Sequence, residues 1–139
     1  PLAQVDVLLA QLAAGADVAI GSRDLPTSRL NPPQPWGRRA AAAVFRTVRR
    51  QFLVPQLRDT QCGFKLFRGP VAQDVFSRCL EDGWFIDCEV LALACRLGYE
   101  VREVGITWGD VPGSKVRPLM TAWAAVPALL RIRRRVSVM

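Results

Sequence analysis

Val5-Asp6-Val7-Leu8-Leu9-Ala10-Gln11-Leu12-Ala13-Ala14-Gly15-Ala16-Asp17-Val18-Ala19-Ile20-Gly21-Ser22-Arg23 is the stretch on which the fold class turns. Val5, Leu8, Leu9 and Leu12 recur at helical spacing, and Gly15 stands where a helix C-terminal cap belongs. A helix is therefore predicted over 5–14. Residues 17–20 follow as a short apolar strand. A helix joined by a brief turn to a buried strand is the signature of an α/β unit with a parallel sheet. In such sheets ligands bind beyond the carboxyl ends of the strands. Gly21, Ser22, Arg23 and Asp24 fall there. For Arg23, a solvated loop charge and a functional charge fit equally.

Further along, Asp59-Thr60-Gln61-Cys62-Gly63-Phe64-Lys65-Leu66-Phe67 sets a carboxylate and an amide two residues apart, then a glycine, then an alternating run. Residues 64–67 read as a strand with one buried face. The polar pair either caps its own turn or is carried by the turn onto a rigid strand end as part of a site.

The 139 residues, half of them hydrophobic, suffice for one core. No histidine is present, which removes Ser-His and Cys-His nucleophile pairs and histidine-ligated zinc. The net charge of +7 points to an anionic partner. Cys62, Cys79, Cys88 and Cys95 form no CxxC pair. Cys88 and Cys95 lie about 10 Å apart along a helix, too far for a disulfide. All four are expected as reduced, mostly buried thiols in a cytosolic compartment. The longest uncharged run, 118–130, is shorter than the roughly 20 residues a membrane span needs.

Between these landmarks, 25–35 reads as a proline-rich loop. Residues 36–53 read as a helix whose Arg38, Arg39, Arg46, Arg49 and Arg50 fall within about a third of its circumference. Val44, Phe45, Val48 and Phe52 occupy an adjacent sector. Such a helix either lies on an anionic membrane with Trp36 near its start or packs its apolar stripe on a core. A helix from Gly69-Pro70 to about residue 80 is expected to turn Val71, Val75 and Phe76 inward. Another is predicted over 87–97, closed by Gly98, with Asp87 as a cap and Glu89 as a favourable first-turn charge. Residues 100–108 alternate as one strand with Val104, Ile106 and Trp108 on one face. In the small-residue loop that follows, Ser114 and Lys115 offer a hydroxyl and an ammonium suited to a phosphate. Residues 116–136 read as a long apolar helix bent at Pro127, flanked by Arg117 and by Arg131, Arg133, Arg134 and Arg135. It lies at a membrane interface or docks on its own domain.

Val18-Ala19-Ile20-Gly21-Ser22-Arg23, the Arg-rich helix, Asp59-Thr60-Gln61-Cys62-Gly63-Phe64-Lys65, Trp84-Phe85-Ile86-Asp87-Cys88-Glu89 and Gly113-Ser114-Lys115 together resemble family 2 glycosyltransferases that act on polyprenyl phosphates. The nearest branch is the dolichyl-phosphate β-glucosyltransferases. The resemblance implies an α/β, partial GT-A (Rossmann-like, nucleotide-diphospho-sugar transferase) fold with amphipathic interface helices. Residues 1–115 would form the acceptor side of the catalytic domain, and 116–139 a membrane-interfacial helix. It implies transfer of a hexose, glucose from UDP-glucose, to a polyprenyl phosphate with inversion, on the cytoplasmic face of a membrane.

By resemblance, Arg23 and Arg38 or Arg39 grip the acceptor phosphate. Asp59 and Gln61 stand at the reaction centre, and Ser114 and Lys115 serve the donor diphosphate. Asp87 and Glu89 match family positions without an assigned role. The family's divalent metal, Mg or Mn, is held by an Asp-x-Asp motif that this sequence lacks. The 139 residues are therefore expected to be a C-terminal part of the enzyme that is inactive alone. A basic nucleic-acid-binding module and a non-catalytic membrane-associated partner are the competing readings. Nucleic acid is not the expected partner, because it leaves Asp59, Asp87 and Glu89 without a purpose.

Overall fold

The computed structural model describes residues 2–31, 43, 46, 47, 49, 50, 53–109 and 118–138, with Asn31 and 118–124 described through their backbone. After a 3-10 turn at Leu2–Gln4, the elements are α1 (Val5–Ala13), β1 (Val18–Ser22), β2 (Arg29–Asn31), β3 (Lys65–Phe67), α2 (Gly69–Arg78), α3 (Ile86–Arg96), β4 (Val101–Gly105), β5 (Thr107–Gly109) and α4 (Pro118–Val138). Ala43, Arg46, Thr47, Arg49 and Arg50 are helical as well.

The first unit forms as its sequence dictates. Gly15 follows the helix at φ 106°, a conformation that costs a side-chain-bearing residue steric strain. Arg68 donates from Nε to the Ala16 carbonyl (2.9 Å) and from a terminal amine to the Leu12 carbonyl, while Arg102 reaches the Ala14 carbonyl at 3.2 Å. Two guanidinium groups thus meet the negative end of α1.

All five residues of β1 are buried, and β1 is the middle strand of a sheet ordered β3-β1-β4. The β1–β4 pairing is parallel, with Val18 opposite Val101 and Ser22 opposite Gly105. The β1–β3 pairing is antiparallel, with Val18 opposite Phe67 and Ile20 opposite Lys65. The sheet is therefore mixed, not parallel throughout as expected. The cause is local: the chain re-enters at the carboxyl end of β1, where the Gly21 N–H donates to the Phe64 carbonyl at 2.8 Å, and can only run back. Gly21 is required there, because a Cβ would sit 3.0–3.1 Å from the Ile106 and Phe64 side chains.

Two further expectations change. The loop predicted over 25–35 contains β2, and the single strand predicted over 100–108 breaks at Ile106 into β4 and β5. Residues 101–105 pair with β1, whereas 107–109 pair in parallel with β2 in a separate two-stranded sheet. A periodicity of two carries no information about which partner a strand finds. The Gln4 side-chain amide closes this small sheet, donating to the Thr107 carbonyl and accepting from the Thr107 N–H, both at 2.8 Å.

Helix α3 is the core of the molecule. Residues 88–94 are all buried, packed on one side against the sheet and on another against α4. Val71 and Val75 of α2 join that core, but Phe76 is about half exposed and meets Phe67 edge to face at 5.5 Å. From α4, Ala125, Leu129, Ile132 and Val136 belong to the same cluster. The inner stripe of this helix is therefore docked on its own domain. Val126, Leu130 and Val138 are exposed. Among the described residues no helix is long and apolar enough to cross a membrane.

A buried carboxylate latches α4 to the rest. Glu89, 1% exposed, accepts from the Leu80 N–H (2.8 Å), the Glu81 N–H (2.6 Å) and the Cys79 thiol (3.1 Å), with Arg135 at 3.7 Å. Glu81 in turn receives Arg131 at 2.8 Å and Arg135 at 3.1 Å. Glu89 stands in the first turn of α3, as expected, and in addition clasps the preceding turn.

All four thiols are free; Cys62 and Cys88 are buried, Cys79 and Cys95 partly so. Burial and then the hydrogen bond to Glu89 push the Cys79 thiol up to about 12 from an ordinary value of 9.0. A proton held more tightly in the folded state stabilises below the unfolded value and ceases to do so as pH rises through the folded one. Stability should consequently fall between about pH 9 and about 12, and Cys79→Ala should flatten that part of a pH series of urea melts. An unaltered slope in the variant would remove Cys79 as its source.

Candidate active site

At the carboxyl end of β1 the chain delivers Arg23, and the 58–61 segment arrives beside it. Arg23 grips Asp59 through Nε to Oδ2 at 2.7 Å and a terminal amine to Oδ1 at 3.0 Å, while its backbone N–H reaches Oδ2 at 3.1 Å. The Gln61 N–H adds a fourth bond to Oδ1 at 3.1 Å. The guanidinium also lies over the Trp108 ring, 5.7 Å from its centroid. Asp59 is 4% exposed. Burial alone would raise its carboxyl, but the hydrogen bonds and charge of Arg23 outweigh that and hold it below the usual carboxylate range. Burial likewise opposes the charge on Arg23, and Asp59 more than offsets it.

Asp59 does not arrive unaided. Glu103 on β4 accepts the Arg58 N–H at 2.7 Å and the Asp59 N–H at 2.8 Å. Arg49, 1% exposed, donates to the Thr60 hydroxyl at 2.7 Å and to the Arg58 carbonyl. Two charged side chains therefore hold consecutive peptide groups of the segment that carries Asp59. The five-arginine stripe expected on one open helix face is corrected here. Arg49 is interior, and Arg46 pairs with Asp24 at 3.0 Å. Helical phase placed these residues together, but only packing decided which of them met solvent.

Glu103 escaped the sequence reading because a single acid in an alternating strand looks like an outward charge. Its test is direct. Glu103→Gln presents an amide that can satisfy at most one of the two N–H groups, so stability should fall by about 1–2 kcal/mol in urea melts. An unchanged midpoint would mean that the 58–59 backbone needs no such clasp.

The remaining motif residues take separate places. Gln61 donates from Nε2 to the Trp84 carbonyl at 3.3 Å and contacts the Cys88 sulfur at 3.4 Å. Its side chain therefore spans from the 58–61 segment to the start of α3. Lys65 Nζ donates to Asp87 at 2.6 Å and to the Cys62 carbonyl at 2.5 Å. Asp87 makes no cap bond to α3; it neutralises a largely buried lysine. Glu89 belongs to the clasp on the turn before α3. The structure thus brings Arg23, Asp59 and Gln61 together, with Asp87 tied to the same segment through Lys65. Arg38, Arg39, Ser114 and Lys115 lie outside the described residues, as does Trp36.

A divalent cation finds no seat in what is described. Both oxygens of Asp59 are occupied by N–H donors, and among the described residues no three His, Cys, Asp or Glu side chains converge. These residues by themselves do not fit a metal.

No protein-family model matches the chain. Individual proteins do. The chain is 34% identical over 118 residues to the dolichyl-phosphate beta-glucosyltransferase of Drosophila melanogaster, an alignment covering 83% of this chain and 36% of that protein. It is 37% identical over 82 residues to the enzyme of the same name from Dictyostelium discoideum, covering 59% of this chain and 25% of the relative. The chain is thus similar to dolichyl-phosphate β-glucosyltransferases from several organisms. Glycosyltransferase AglD of Haloferax volcanii is similar too, 31% identical over 132 residues, or 88% of this chain and 21% of that protein. The chain spans about a third or less of the length of these relatives. The mixed α/β architecture agrees with a GT-A-like fold.

Proposed function

We propose that the protein transfers a hexose, glucose from UDP-glucose, to a dolichyl-type polyprenyl phosphate with inversion, and that this chain supplies the acceptor side. The observation that carries this reading is the convergence of the Arg23 and Asp59 side chains with the Gln61 backbone N–H, all from the family motifs, at the carboxyl end of the central strand.

The chemistry asks little of a base. A phosphate monoester has a second pKa near 6 and is already ionised at neutral pH. It must be positioned as a nucleophile, and the charge of a departing diphosphate must be met. A carboxylate held below its usual range by an arginine fork is a poor proton acceptor. Asp59 is therefore a positioning group: it fixes the Arg23 guanidinium. The remaining terminal amine of Arg23 makes no hydrogen bond among the described residues and is the part left to meet an acceptor phosphate. Arg38 or Arg39 would complete that grip, and Ser114 and Lys115 would serve the donor diphosphate. A bound Mg or Mn would add charge at the diphosphate, with ligands outside the described residues.

A peripheral position on the cytoplasmic face of an anionic membrane follows from a lipid acceptor. Exposed arginines near such a surface contribute about 1 kcal/mol each. Arg46 and Arg50 remain partly or fully exposed. The experiment is transfer of labelled glucose from UDP-glucose into an extractable polyprenyl phosphate by the whole protein, with flotation on anionic vesicles as the second arm. Labelled lipid that disappears with Arg23→Gln supports the reading. Full labelling with that variant would overturn it.

A further inference from the structure

Toward the end of α3 remote from the Gln61 contacts lies an open cavity of about 480 Å³, lined by residues of α3 and α4 together with Leu53. Gln61 meets Cys88, whereas Cys95 lines the cavity. About 10 Å of helix separates the two thiols. The cavity is therefore distinct from the Arg23–Asp59 site.

Its lining combines two chemistries. Ala92 and Val136 are buried, Leu53 and Cys95 are half-buried, and all four belong to the hydrophobic core or pack against it. Burial pushes the Cys95 thiol up from its ordinary value, so it stays protonated and adds no negative charge at neutral pH. Beside this apolar floor stand two exposed guanidinium groups, Arg96 at the end of α3 and Arg133 on α4. Among the described residues no acid lines the cavity, and none pairs with Arg96.

An apolar floor beside a cationic wall selects an anion that carries an apolar chain. Guanidinium forks fit the oxygens of such a headgroup. The volume lies within the range of small-molecule pockets and exceeds what a headgroup alone fills, so part of a chain has room. Among the described residues no aromatic ring lines the cavity, so a nucleotide base would find nothing to stack on.

We infer that this cavity binds an anionic single-chain amphiphile, with its headgroup on Arg96 and Arg133 and its chain on Leu53, Ala92 and Val136. The site is independent of sugar transfer and of the acceptor phosphate assigned to Arg23.

The test reads binding and thiol labelling on the full chain, not turnover. Laurate and lauroyl lysophosphatidylglycerol are titrated calorimetrically below their micellar concentrations, with inorganic phosphate and neutral dodecyl maltoside as comparison probes. Both anionic amphiphiles should bind. Because a bound ligand covers the lining, each should slow alkylation of Cys95 by iodoacetamide about fivefold or more, resolved by peptide mass, and leave Cys79 unprotected. Arg96→Gln/Arg133→Gln should bind both about tenfold or more weakly. Arg29→Gln/Arg78→Gln removes two exposed charges elsewhere and, like Arg23→Gln, should stay within about twofold of the parent. Thermal melts check that the variants fold. Tighter binding of laurate would identify a fatty carboxylate as the source; tighter binding of the lysolipid would identify a lipid headgroup. Dodecyl maltoside or inorganic phosphate binding as tightly as the amphiphiles, or an unprotected Cys95, would overturn the assignment. So would a loss in Arg23→Gln equal to that in Arg96→Gln/Arg133→Gln.

Discussion

Replacing Asp59 by Asn should reduce sugar transfer by about a hundredfold or more and cost about 3 kcal/mol of stability. The stability loss follows from breaking a nearly buried pair. Asp59 accepts four N–H bonds, three of them from Arg23 and two of those from its side chain, which is 27% exposed. Removing the carboxylate charge leaves a guanidinium only partly able to recruit water, which places the cost at the lower end of the 3–5 kcal/mol typical of broken buried pairs. The activity loss follows from geometry, because a reacting group displaced by about 1 Å can lose about a hundredfold in rate. Urea melts and the lipid-labelling assay separate the two. A variant destabilised as expected but turning over at the parental rate would reduce Asp59 to a structural residue. The same pair sets an acid limit. The folded carboxyl titrates below its unfolded value, so its stabilisation is complete above about pH 4 and disappears as pH falls through the folded value.

The largest effect on stability alone is expected from Glu89→Ala, at about 3–4 kcal/mol. Its nearly buried carboxylate satisfies the N–H groups of Leu80 and Glu81 and the Cys79 thiol, and it sits 3.7 Å from Arg135. Alanine would take the acceptor from two part-buried N–H donors and the Cys79 thiol, each costing about 1–3 kcal/mol, and would loosen the turn that holds Glu81 against Arg131 and Arg135. Glu81→Ala removes only the more exposed ion pairs to α4 and should cost about 1 kcal/mol or less. Comparison of the two midpoints decides the matter. If Glu81→Ala proved as damaging as Glu89→Ala, the surface pairs rather than the buried clasp would hold α4.

Much of the local structure was written in short-range chemistry. Apolar spacing at Val5, Leu8 and Leu12, the cap position of Gly15 and the apolar run from Val18 to Ile20 specify α1, its end and β1, because each depends on neighbours within a few residues. Gly69-Pro70 likewise starts α2, and Gly98, at φ 85°, follows α3. The family resemblance also marked Arg23, Asp59 and Gln61 as residues of one site. It could not say that Arg23 and Asp59 hold each other, since 36 residues separate them in the chain.

Tertiary structure decided partners and burial. The alternating run at 100–108 was equally consistent with one strand or two, and the positions of β1 and β2 split it at Ile106. Arg46, Arg49 and Arg50 share one helical sector, yet Arg49 is interior because the Arg58 carbonyl and the Thr60 hydroxyl take its donors. Glu89 read as a first-turn charge and Glu103 went unmarked; the backbone N–H groups they serve meet them only in the folded chain. Local sequence fixes conformation through torsions and capping. Which charge is buried depends on unpaired donors brought from 8 to 45 residues away, and only the folded chain supplies them.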